Sequence, residues 1–144
     1  MRAIFWFTNS NKLGGLLIRK GLMFKYNHVG IEIDDVVYDA TLMKGVVKQS
    51  VDEFMEGYAF SEGIIVDVPN PKEFKEFLES QVGKPYDWRA ILAFPLRKTW
   101  EKEHAWHCSE LATKAAIVGG VIPRTRIPKS SISPRDIYLM LPRS

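Results

Sequence analysis

The chain has 144 residues, 46% of them hydrophobic and 26% charged, and a net charge of +3. That length suggests a single domain over residues 1–144, large enough to bury a core without staples. The composition is that of an ordinary globular protein, and the basic residues are scattered ("RKGLMFK", "PLRKTWEK", "PRTRIPK"), which argues against a basic nucleic-acid-binding arm. The one cysteine, Cys108, excludes an intrachain disulfide framework and any multi-cysteine metal centre.

"RAIFWF", near the N-terminus, is short, apolar and aromatic and reads as a strand. Its apolar run is too short for the core of a signal peptide, and no segment has the length to span a bilayer, so the expected location is cytoplasmic or phage-encoded. Asn9 or Ser10 is placed to cap a helix through "NKLGGLLIRKGLMFK". That helix would be basic and amphipathic, so membrane-surface binding through residues 12–25 is a second reading after ordinary packing on a sheet.

In "NHVGIEIDDVVYDAT", Val29, Ile31 and Ile33 alternate with His28, Gly30 and Glu32, the period of a half-buried strand. The pair Asp34–Asp35 reads as a turn and "VVYDAT" as the returning strand, followed by a strand at "GVVKQS". Ser50 and Glu53 have capping-box spacing for a short helix. "GIIVDVP" is a strand stopped by Pro69. "NPKEFKEFLESQVG" has an N-cap asparagine, a proline at the first helical position and a terminal glycine, with Phe74, Phe77, Leu78 and Val82 on one face. "DWRAILAF" and "CSELATKAAIVGG" read as helices, and "SPRDIYLML" as a closing helix capped by Ser133. The pattern defines an α+β domain.

The chemistry centres on Cys108, at the start of a helical pattern. A helix N-terminus carries unpaired N–H groups and partial positive charge, which favour a thiolate. A nucleophilic thiolate needs a base, and the base needs a third group to orient it. His107 is adjacent to Cys108, where side chains diverge. His104 sits in the charged run "WEKEHAW". His28 lies on a strand with Gly30 beside it on the same face, leaving open space next to the imidazole, and is favoured as base.

For the third group, Glu32 shares the His28 face but stands roughly 13 Å along the strand. If Asp34 and Asp35 form a two-residue turn, His28 faces Thr41, and Asp39 becomes its diagonal neighbour on the same face. A one-residue slip would send Asp39 to the opposite face. Asp39, Glu32 and Thr41 therefore all stand as orienters, with Asp39 favoured.

Together, "YNHVGIEIDDVVYDAT", "GKPYDW" and "WHCSELATKAA" resemble the NlpC-type papain-like cysteine peptidases. They are more similar to the circularly permuted branch, with YiiX-like and lecithin:retinol acyltransferase-like proteins, in which the histidine strand precedes the cysteine helix. The resemblance runs from about Ile4 to Ile117. It implies a papain-like fold with a central antiparallel sheet packed against helices, Cys108 as nucleophile, His28 as base and Asp39 as the polar third member. It also implies that Tyr86 lines the site. Lipid-acting relatives often carry histidine at the third position, so Asp39 leans toward a peptidase or amidase.

The expected function is thiol-dependent hydrolysis of an amide bond through an acyl-enzyme, with a peptide substrate, peptidoglycan foremost, and with no cofactor, metal or nucleic-acid partner. Two alternatives stand beside it. One is lipid acyl transfer or (thio)ester hydrolysis on the same Cys–His pair. The other is a binding or virion-structural module in which Cys108 is a small buried hydrophobe and the site is vestigial. Glu110, two residues into the cysteine helix, reads as a carboxylate complementing the helix dipole. Trp88, Trp106 and Tyr26 read as packing residues or cleft walls.

Overall fold

The computed structural model describes residues 1–10, 26, 28–41, 44–56, 58–85, 108–124 and 132–143. Among these residues five strands form one antiparallel sheet: β1 (Arg2–Ser10), β2 (His28–Ile33), β3 (Val36–Thr41), β4 (Gly45–Ser50) and β5 (Tyr58–Asp67), in the order β4-β3-β2-β1-β5. The described helices are α1 (Val51–Met55), α2 (Pro71–Gln81), α3 (Cys108–Val118) and α4 (Pro134–Met140). This is an α+β architecture. Among the described residues no helix is long and apolar enough to cross a membrane.

Strand periodicity decides the two faces. Ala3, Phe5 and Phe7 of β1, Val29, Ile31 and Ile33 of β2, and Ile64 and Val66 of β5 are buried in one cluster with Phe74 and Leu78 of α2, Leu111, Ala112, Ala115 and Ala116 of α3, and Ile137 of α4. Burying each of these large side chains contributes about 1.5–3 kcal/mol. Phe5 meets Phe74 at 6.4 Å between ring centroids, and Phe7 meets Tyr138 edge-on at 5.0 Å. Helix α3 has a weak amphipathic pattern because it is enclosed on most sides: Ser109, Glu110 and Thr113 are buried with its apolar residues. The polar ones are satisfied locally, Ser109 Oγ donating to the Ile132 carbonyl at 2.6 Å and Thr113 Oγ1 to the Ser109 carbonyl at 2.7 Å. The helix ends where Gly120 takes φ +75° and its N–H donates to the Ile117 carbonyl at 3.1 Å.

Several local expectations meet their structures. Ser50–Glu53 forms a full capping box on α1, as Ser133–Asp136 does on α4. Others are corrected. Asn70 occupies the N-cap of α2 but makes no side-chain cap bond, and Val82, expected on its buried face, is exposed while Gln81 is buried. Strand β5 begins at Tyr58 rather than Gly63. The helices expected near residues 11–25 and 87–94 lie outside the described residues.

Candidate active site

Asp34 and Asp35 both take left-handed backbone conformations, φ +50° and +65°. Two positive φ values at consecutive central residues make the mirror-image turn whose twist suits a two-residue hairpin. The turn sets Ile33 opposite Val36 and Ile31 opposite Tyr38. Continuing that register puts Gly30 against Asp39 and His28 one diagonal step away. The side chains meet accordingly: His28 Nε2 is hydrogen-bonded to Asp39 Oδ1. The two other candidate orienters of His28 are engaged elsewhere. Glu32 accepts from Trp6 Nε1 at 2.5 Å, and Thr41 Oγ1 donates to the Gly45 carbonyl at 3.0 Å.

The Asp39 carboxylate is 2% exposed, so protein groups rather than water must satisfy it. Its second oxygen, Oδ2, accepts from Gln49 Nε2 at 2.9 Å. His28, with its side chain 12% exposed, is walled by aromatics. Tyr58 stacks on the imidazole with centroids 5.5 Å apart and planes at 21°, Phe54 stands 6.2 Å away, and Phe54 and Tyr58 meet at 5.0 Å. Phe54 also overturns the expectation of open space beside Gly30. A Cβ on Gly30 would lie 2.7 Å from the Phe54 ring and 3.0 Å from Val37 Cγ1, so glycine there admits the aromatic ring.

Cys108 is the first residue of α3, is 1% exposed, and packs in the core cluster. Burial alone would lower the His28 pKa. The Asp39 carboxylate, then Tyr58 and Cys108, and the Asp39 hydrogen bond outweigh it, and His28 titrates well above 6.5. Tyr58 is itself pushed up to about 12, chiefly by burial. A phenol protonated to that point carries no charge at neutral pH, so Asp39 is the dominant source of the His28 shift there. The Thr8 hydroxyl, opposite His28 across β1 and β2, is buried with no hydrogen-bond partner among the described residues.

With Asp39 accepting at Nε2, that nitrogen carries the proton of the neutral ring and Nδ1 is the basic nitrogen. Two side chains from two strands thus contact the imidazole, Asp39 by hydrogen bond and Tyr58 by stacking. Tyr86, His104 and His107 lie outside the described residues. The preceding Gly83 and Lys84 join the start of β4 through Val46, at 2.8 and 2.7 Å. Glu110 is buried and bridged to Lys114 at 3.4 Å, a more enclosed carboxylate than a helix-dipole complement requires. Among the described residues no group of three His, Cys, Asp or Glu could hold a metal ion. Sequence reasoning missed Gln49, Phe54, Tyr58 and Thr8. Register alone could have found Gln49, because it stands one diagonal step from Asp39 across β3 and β4. Comparison with protein families and with curated proteins finds no match for the chain.

Proposed function

We propose that this chain is a thiol-dependent hydrolase of the permuted papain-like kind, cleaving an amide bond, with a peptidoglycan peptide as the foremost substrate. The observation that carries the reading is the His28 ring, whose Nε2 is bound to the buried Asp39, in a chain whose single cysteine opens a helix at Cys108. Asp39 holds the ring and stabilises its protonated form. From the neutral ring, His28 Nδ1 takes the proton of Cys108 Sγ, leaving a thiolate beside the imidazolium that Asp39 stabilises, and the thiolate attacks the amide carbon. The first N–H groups of α3 stabilise the oxyanion. The imidazolium then returns its proton to the departing amine as the C–N bond breaks. A water deprotonated by His28 attacks the thioester, releasing the acid and the Cys108 thiol.

Incubation of purified muropeptides with the wild type and with Cys108→Ala, followed by mass spectrometry, tests the reading. Products bearing a new free amine are expected from the wild type alone. Intact muropeptides in both, or equal cleavage in both, overturn it.

One observation favours a second reading, a non-catalytic module with a vestigial site: Cys108 is 1% exposed and lies among core residues. On that reading Cys108→Ala leaves every function of the protein intact.

A further inference from the structure

The diagonal step that brings Asp39 to His28 is repeated on the next strand. Across β3 and β4, Asp39 opposes Val47 and Val37 opposes Gln49. Gln49 therefore lies on the same face as Asp39, offset by two residues, the spacing at which a long polar side chain reaches its diagonal neighbour. It does so, with Nε2 at 2.9 Å from Asp39 Oδ2. The result is a chain of polar contacts across three adjacent strands: His28 on β2, Asp39 on β3 and Gln49 on β4.

We propose that Gln49 is a positioning residue for the Cys108–His28–Asp39 site, holding the Asp39 carboxylate so that one oxygen is committed to the imidazole. The inference rests on the hydrolase reading above and names a fourth residue of the same site.

The physical reason lies in the two oxygens of a carboxylate. Each accepts hydrogen bonds, and Asp39 is too buried for water to serve the second one. Without a donor there, the ionised carboxylate loses stabilisation, and the side chain is free to rotate its charge away from His28. The Gln49 amide supplies a donor without adding a charge that would compete for Asp39 or repel the imidazolium. A lysine in its place would neutralise the carboxylate, and a glutamate would set two anions side by side. Lys48, one residue earlier on β4, is committed to Glu79 at 3.1 Å and does not serve Asp39. Among the described residues, the titratable groups bearing on His28 are Asp39 from β3, Tyr58 from β5 and Cys108 from α3. Gln49 touches the first of these.

The test compares wild type, Gln49→Leu and Gln49→Met, the methionine retaining an unbranched stem against the sheet while removing the donor. The His28 ring is titrated by NMR, with His28→Gln used to assign its signals, and amide hydrolysis is followed against pH. Removal of the donor is expected to lower the His28 pKa in both variants. It is also expected to move the pH profile with it and to cut turnover roughly tenfold, the worth of a hydrogen bond to a charged group. A His28 titration unchanged in Gln49→Met overturns the proposal, and so does a lowered melting temperature with an unchanged pH profile, which would make Gln49 merely structural. Failure of the hydrolase reading shows separately, as wild-type protein that cleaves no amide. The His28 titration needs no substrate and decides the role of Gln49 in either case.

Discussion

His28 and Asp39 stand one diagonal step apart on β2 and β3, and the imidazole Nε2 meets the carboxylate Oδ1. The charge of that carboxylate, more than its shape, sets the state of the ring. Asp39→Asn keeps an acceptor oxygen in place and removes the charge. The His28 pKa is expected to fall in the variant, and amide hydrolysis to fall roughly ten- to a hundredfold. An NMR titration paired with kinetics checks both.

The same shift makes stability depend on pH. The folded His28 pKa lies above the unfolded value of 6.5. The folded state therefore binds the proton more tightly. The stabilisation is complete below the unfolded pKa and is lost as pH rises through the folded one. The urea midpoint is expected to drop as pH is raised from below the unfolded pKa to above the folded one, and to drop less in His28→Gln. Equilibrium unfolding at the two pH values measures it.

The stack between Tyr58 and His28 separates ring from hydroxyl. Tyr58→Phe keeps the parallel rings, and since the phenol stays protonated up to about 12, it leaves the His28 titration near neutral pH unchanged. Tyr58→Leu loses the stack, worth about 0.5–1.5 kcal/mol beyond its buried area, and is expected to lower both melting temperature and turnover. Calorimetry and kinetics on the pair distinguish the two contributions.

Gly30 gives way to a ring rather than to solvent. Gly30→Ala drives a methyl group against Phe54 and Val37 and is expected to destabilise by about 1–3 kcal/mol. The displaced Phe54 also neighbours His28 and Tyr58, so turnover is expected to fall with stability. Chemical denaturation and kinetics on the variant provide the check.

The contacts legible in the sequence were those carried by local rules. Two-residue periodicity and a two-residue turn predicted the β2–β3 register, and that register led to Asp39. Capping spacing predicted α1 and α4. What the sequence concealed depends on distant chain segments. Nothing local places β1 between β2 and β5, or brings Tyr58 and Phe54 against a histidine far earlier in the chain. The start of β5 was hidden because its first residues mix polar and apolar types without alternation. The Gly30 vacancy was misread for the same reason: one strand's pattern shows where a side chain is missing, and a different element decides what fills the gap.

Cys108, His28 and Asp39 are proposed to form one site, with Asp39 holding the imidazole and Cys108 as the nucleophile. The most direct test is the NMR titration of the His28 ring in wild type and in Cys108→Ser. A wild-type pKa well above 6.5, held up chiefly by Asp39, is expected, and it is expected to fall when Cys108, as the proposed partner of the ring, is replaced. A wild-type His28 titrating at the ordinary value, or one indifferent to the loss of Cys108, would contradict it.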